Sequence, residues 1–208
     1  VSNSKEYFDN IGATWDRMRE GFFSERVRER AFRIAEIEPG HAALDLGAGT
    51  GFITSGLLDR GLRVVAVDQS PAMLEALRAK FPDADSLDCR RGDAEHVPVD
   101  DVSVDYCFAN MCLHHVERPP RAINEMVRIL KPGGKVVVTD LDSHDHDFLR
   151  TEHRDRWMGF DRDEIRRWFR EAGLDGVSVE GIDEECCTTE RDGTPASISI
   201  FLALGTKT

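Results

Sequence analysis

The sequence predicts an α/β protein built on a parallel sheet. Three observations carry this. The apolar runs Ala43–Leu46, Val64–Val67 and Val136–Val138 are near-continuous rather than alternating, as in strands covered on both faces. Segments with apolar residues at helical spacing lie between them. The stretch from Ala43 to Gly51, Ala-Leu-Asp-Leu-Gly-Ala-Gly-Thr-Gly, then joins one strand to a helix through Gly47, Gly49 and Gly51. Glycines belong in a turn that bends sharply and lets a ligand approach the backbone without meeting a Cβ. The spacing is G-x-G-x-G, not the G-x-G-x-x-G of dinucleotide-binding turns.

The 208 residues suit one domain with a full core. A formal net charge of -12 argues against general nucleic-acid binding, because phosphates would be repelled. The five cysteines are odd in number, and Cys186 and Cys187 are adjacent, unlike a secreted disulfide framework. A reducing, cytoplasmic setting is the expectation. The opening Val-Ser-Asn-Ser-Lys-Glu-Tyr-Phe lacks the apolar run of a signal peptide, and no stretch is long and apolar enough to span a bilayer.

Phe23, Val27, Ala31 and Ile34 recur at helical spacing, and Pro39-Gly40 ends that region. Ahead of them, Tyr7-Phe8-Asp9 and Trp15-Asp16 are aromatic and less periodic, which suits a lid over the glycine turn or a cap on the core edge. Phe52 to Leu58 reads as a helix closed by Gly61. The strand Val64–Val67 ends at Asp68, and Pro71 opens a helix with Met73, Leu74, Leu77 and Phe81 on its apolar side. A weaker strand covers Ser86 to Cys89, and Val104 to Asn110 is another. Ile123, Met126, Val127 and Leu130 mark a helix stopped by Lys131-Pro132-Gly133-Gly134. Asp140 to His153, dense in Asp and His, reads as a solvated loop. Asp161 with Glu164 suggests a capping box. Val177–Ile182 and Ile198–Leu204 close the chain as two antiparallel strands, with Cys186-Cys187 between them.

Four elements in register, Leu44-Asp45-Leu46-Gly47-Ala48-Gly49-Thr50-Gly51, Val67-Asp68, Gly92-Asp93-Ala94 and Leu130-Lys131-Pro132-Gly133-Gly134, resemble class I S-adenosylmethionine-dependent methyltransferases. The resemblance is strong over about residues 5 to 140. The Tyr7-Phe8-Asp9…Trp15-Asp16 opening and Leu113-His114-His115 are similar to the quinone-biosynthesis and arsenite methyltransferase subgroup. The implied fold is a Rossmann-like, seven-stranded, mostly parallel sheet with helices on both faces, an antiparallel last strand and an N-terminal helical lid. Residues 1–38 would be the lid, 39–140 the cofactor-binding core, and 141–208 the substrate side and closing strands of one domain.

The resemblance implies S-adenosylmethionine as cofactor and a small-molecule methyl acceptor, with no nucleic acid or membrane as partner. It places Gly47, Ala48, Gly49 and Gly51 against the methionine and ribose portion, and Gln69 and Met73 beside it. Asp68, ending the second strand, would accept from both ribose hydroxyls. Asp93 would accept from the adenine amino group, with Gly92 before it and Ala94 offering an amide. Asp45 would orient the glycine loop, and Asn110 would contribute its main-chain carbonyl. Tyr7 and Trp15 would cover the cofactor. His114 or His115 could serve as base, although a soft nucleophile needs none. No metal site is assigned: Asp140, Asp142, His144, His146 and His153 read as a solvated run, and Cys186-Cys187 lacks the C-x-x-C spacing of a zinc site. Two other readings stay open at this point, a nucleotide-dependent oxidoreductase and a non-catalytic metal or metalloid sensor on the same fold.

Overall fold

The computed structural model describes residues 7–9, 15–189 and 193–208. Among the described residues, α1 (Trp15–Arg19) and α2 (Arg26–Ala35) precede the sheet. Then follow β1 (Ala42–Leu46), α3 (Phe52–Leu58), β2 (Arg63–Asp68), α4 (Pro71–Lys80), β3 (Leu87–Arg91) and β4 (Val104–Asn110). After a 3₁₀ turn at Leu113–His115 come α5 (Pro119–Ile129), β5 (Leu130–Leu141), α6 (Phe148–Glu152), α7 (Arg162–Glu171), β6 (Leu174–Thr189) and β7 (Pro195–Lys207).

These strands form one seven-stranded sheet in the order β3-β2-β1-β4-β5-β7-β6. The pairs among β1 to β5 are parallel, and β7 runs antiparallel to both β5 and β6. The order reverses beside β1: β2 and β3 lie on one side of it, β4 and β5 on the other. Ligands bind at such a switch point, because the connections leave the strand ends in opposite directions and open a crevice.

Both faces of the sheet are covered. Cys107, Val136 and Val138 face α5 and α7, where Ile123, Met126 and Phe169 are fully buried. Their neighbours Phe108 and Val137 point the other way, against Val27 and Phe32 of α2 and Ile53 and Leu57 of α3. This alternation is why the strands read as unbroken apolar runs. Leu74 and Leu77 of α4 close a smaller cluster over Ala66 and Ala48.

Three expectations are corrected. Asp140 is not in a solvated loop but within β5, with no exposed surface, and a short helix (α6) follows at Phe148–Glu152. Cys186 and Cys187 lie within β6, which is longer than the period-2 pattern suggested because two register shifts bend it against β7. The α5 helix stops at Ile129, and Leu130 already belongs to β5.

Candidate functional site

The carboxyl ends of β1, β2 and β4 open into a cavity of about 270 Å³. Its floor is the glycine turn. Gly47, Gly49 and Gly51 all have positive φ, of 70°, 52° and 95°. The amides of Gly47 and Ala48 both donate to the Val67 carbonyl, at 2.8 and 3.1 Å, which draws the turn under the end of β2. A Cβ on Gly47 would lie 2.5 Å from the Cys112 sulfur, and one on Gly51 would collide with Leu77. A Cβ on Gly49 would meet only the Trp15 indole nitrogen, at 3.7 Å, so this glycine faces the cavity. The turn is thus a cradle that a side chain would fill.

Asp68 stands at the rim. Its carboxylate accepts from the amides of Gly49 and Ser70, each at 2.8 Å, and from the Gln69 amide as well. Burial pushes its pKa up, against the pull of those amides. Asp45 lies behind the turn with 1 % of its surface exposed, and accepts from the Thr54 amide at 2.9 Å and hydroxyl at 2.6 Å. Burial pushes its carboxyl up to about 7. Asp45 therefore fastens the start of α3 to β1.

The opposite wall holds Gly92, Asp93 and Ala94. Asp93 accepts from the Glu95 amide at 2.8 Å, which folds the segment into a tight turn. Glu95 in turn accepts from the Arg118 amide and guanidinium at 2.9 and 2.7 Å. Asn110 lines the cavity from the end of β4, its side-chain oxygen held by the Thr139 hydroxyl at 2.8 Å. Phe8, Trp15 and Arg19 form the cover. The Arg19 guanidinium stacks 4.4 Å from the Phe52 ring centroid. The cover is tied down: the Ser70 hydroxyl donates to Asp9 at 2.6 Å, the Thr50 hydroxyl donates to Asp16 at 2.5 Å, and Asp16 pairs with Lys80.

A second cavity of about 60 Å³ adjoins the first, sharing Phe8, Trp15, Phe23, Met111 and His115 with it. Tyr7, His114, His153, Asp155 and Cys186 line the rest. The His114 Nδ1 lies 2.6 Å from Asp140, whose carboxylate also accepts from the amides of Leu113 and Leu141 at 2.9 and 2.8 Å. Burial alone would lower the His114 pKa, but Asp140 and Asp155 raise it to about 9. His115, buried beside that cation, is driven well below the usual imidazole range. Burial pushes the Asp155 carboxyl up to about 6. Met111 and Arg154 have positive φ, 48° and 65°, two of four such non-glycine residues among those described. Backbone strain of this kind clusters at functional sites.

The first cavity gathers Trp15, Gly47, Ala48, Gly49, Asp68, Gln69, Met73, Gly92, Asp93, Ala94, Asn110 and His115. Separated segments of the chain converge there. Residues 44–138 match the family model described as "Methyltransferase domain". An uncharacterised methyltransferase of Mycobacterium tuberculosis is 50% identical over 93 residues, 45% of this chain and 37% of that protein. A demethylmenaquinone methyltransferase of Renibacterium salmoninarum is 38% identical over 120 residues, 58% of this chain and 49% of that protein. The chain thus spans half or less of these relatives. Over residues 44–138 the chain is similar to methyltransferase domains.

Solved methyltransferases share the fold of this domain. A Thermotoga maritima methyltransferase superposes with a TM-score of 0.72 at 20% identity, over 99% of this chain and 100% of that one. A methyltransferase solved with the Haloferax volcanii Trm112 activator gives 0.78 at 24% identity, over 96% of each chain. The match does not favour an oxidoreductase or a non-catalytic sensor.

Four of the site residues singled out from the sequence stand outside the first cavity. Asp45 and Gly51 lie behind the glycine turn, and Tyr7 and His114 face the second cavity. The Tyr7 hydroxyl lies 3.2 Å from His153 Nδ1, which directs it away from the cofactor side. Sequence reasoning missed Arg19, Cys112, Glu95 and Asp155. A buried arginine on a short amphipathic helix and an aspartate in a loop carry no periodic signal. Asp155 arrives at the site because the amides of Arg156 and Trp157 both donate to the His114 carbonyl, at 3.0 and 3.1 Å.

Proposed function

We propose that this domain binds S-adenosylmethionine in the larger cavity and transfers its methyl group to a small-molecule acceptor held in the smaller one. The observation that carries the reading is the convergence of the glycine cradle, Asp68, Asp93-Ala94 and Asn110 on one crevice at the switch point of the sheet. Asp68 lines the cavity with a carboxylate that can accept from a ribose hydroxyl. Asp93 stands where it can accept from an adenine amino group. The Arg19 guanidinium in the cavity wall offers charge-assisted hydrogen bonds to an amino-acid carboxylate. The cofactor supplies a methyl group activated on a sulfonium. The chain's part is to align an acceptor with it and exclude water.

Phe8 and Trp15 serve that exclusion, and they border both cavities. His115 also borders both, and burial beside the His114 cation keeps it neutral. The small volume of the second cavity and the acidic surface suit a small acceptor better than a nucleic acid. Relatives named as demethylmenaquinone and malonyl-[acyl-carrier protein] methyltransferases support methyl transfer in general, and their acceptors differ in kind.

Calorimetry with S-adenosylhomocysteine tests the cofactor site. Asp68→Ala is expected to weaken binding by about 1–3 kcal/mol, through loss of hydrogen bonds to a charged acceptor. Unchanged affinity would remove Asp68 from the site. NAD(P) binding without S-adenosylhomocysteine binding would overturn the reading.

A further inference from the structure

Three potential ligand atoms meet in the wall of the second cavity. His114 Nε2 lies 3.9 Å from Asp155 Oδ1, and His115 Nδ1 lies 3.8 Å from the same oxygen. All three fall within 4.8 Å of one another. These separations are too long for hydrogen bonds. Ligands held about 2.1 Å from a tetrahedral ion lie about 3.4 Å apart, so binding one cation would draw each histidine nitrogen about half an ångström closer to Asp155 and bring the two histidine nitrogens together as well.

Two of the three atoms have no other use. His115 Nδ1 and Asp155 Oδ1 are buried and have no hydrogen-bond partner. The Asp155 side chain is 3% exposed. A buried carboxylate oxygen without a donor is costly; the His114 imidazolium faces it at 3.9 Å, too far for a hydrogen bond, and a metal ion would take the place of the Nε2 proton. The supporting shell is also present. His114 turns its Nδ1 to Asp140, which leaves Nε2 directed at Asp155. The His115 ring bonds to the Arg154 backbone, and since Nδ1 has no partner that bond belongs to Nε2. Each imidazole is thus oriented through one nitrogen and offers the other, the pattern that metal-ligating histidines show. The left-handed backbone of Arg154, φ 65°, holds Asp155 in place.

We propose that His114, His115 and Asp155 form a binding site for one divalent transition-metal ion, with Asp140 as the carboxylate that positions His114. Two imidazoles and a carboxylate suit zinc or iron(II), and three protein ligands leave a position open. An oxygen of the acceptor fits that position, beside the cofactor cavity that His115 also borders. Only this role toward an acceptor rests on the methyltransferase reading; ion binding does not. His144 and His146, whose rings are tilted against each other 5.6 Å apart, are not among the three residues whose ligand atoms meet within 4.8 Å, although His144 Nε2 is also buried without a partner.

Chelator-treated full chain is titrated with Co²⁺, following the visible absorption bands of the bound ion. The expected result is one equivalent bound at micromolar concentration and displaced by Zn²⁺. His115→Ala and Asp155→Asn are expected to lose this equivalent, and Asp140→Asn to weaken it about 10–100-fold. The paired change His144→Ala and His146→Ala is expected to keep it. S-adenosylhomocysteine binding is measured on each variant, so misfolding is told apart from a lost ligand. A wild-type chain that takes up no Co²⁺ overturns the proposal, whatever the variants do. So does uptake that survives both ligand substitutions, or that vanishes in the His144/His146 variant alone. Loss of S-adenosylhomocysteine binding by wild type, with one Co²⁺ still bound, would sink the proposed function and leave the ion site standing.

Discussion

Asp45 shows how a single residue couples the glycine turn to stability. It is buried, bonded to Thr54, and its carboxyl is pushed up to about 7 from 3.8. A raised folded-state pKa means that the folded state keeps its proton longer than the unfolded one. Below about pH 3.8 Asp45 is neutral in both states and costs nothing. As pH rises toward about 7 its ionisation draws on folding stability, on the order of 4 kcal/mol in full. Asp45→Asn keeps an acceptor for Thr54 and removes the charge. Urea denaturation at about pH 5 and pH 7.5 is expected to show a smaller fall in stability for the variant than for wild type; equal falls would mean that Asp45 does not titrate in this window. At Gly49 the limit is steric. With φ 52° and Trp15 opposite, Gly49→Val is expected to abolish S-adenosylhomocysteine binding, and a folded variant that binds normally would show that the turn does not cradle the cofactor.

At the scale of elements, the helices are held by one buried stripe each. In α5, Ala122, Ile123, Met126 and Ile129 are fully buried against the sheet, while Arg121 is exposed. Ile123→Ala is expected to cost about 2–5 kcal/mol in chemical denaturation. Arg121→Ala is expected to stay within about 0.5 kcal/mol. The start of α4 links packing to the cover of the site. Ser70 caps the helix through the Met73 amide at 3.3 Å, ahead of Pro71, and its hydroxyl donates to Asp9. Ser70→Ala therefore removes a cap and a tether together. The expected outcome is a loss of about 0.5–2 kcal/mol in stability, with faster amide exchange at residues 7–9 and 15–22. Unchanged exchange there would mean that the cover is held by its aromatic contacts alone. Binding of S-adenosylhomocysteine is expected to slow exchange over the same residues, because Trp15 faces the glycine cradle.

At the scale of the molecule, the last strand is the keystone of half the sheet. β7 lies between β5 and β6 and pairs with both. The Lys207 amine at its end donates to the carbonyls of Val127 and Leu130, at 2.7 and 2.8 Å, and closes the end of α5. Truncation before Pro195 would leave two long strand edges unpaired. The truncated chain is expected to be largely insoluble, and a soluble, S-adenosylhomocysteine-binding product would show that the parallel half folds alone. Among the described residues no helix is long and apolar enough to cross a membrane.

The strands, the glycine turn and the helix stripes were legible in the chain alone, because side-chain period and turn chemistry are local properties. Val104–Asn110 and Phe52–Leu58 have the bounds the apolar pattern suggested. Asp68 and Gly92-Asp93-Ala94 were singled out through the resemblance of their motifs, and they line the larger cavity. The Asp140–His153 stretch was misread, because polar composition says nothing of a partner far away in sequence. Asp140 is buried because the His114 ring, 26 residues earlier, and the amides of Leu113 and Leu141 meet its carboxylate. Asp155 reaches the same histidines through two backbone hydrogen bonds to the His114 carbonyl, a contact between loops that no periodicity announces. The cofactor crevice follows from local signals repeated along the chain. The acceptor side, with its buried carboxylates and paired histidines, comes into being when distant loops pack together and exclude the water that would otherwise solvate them.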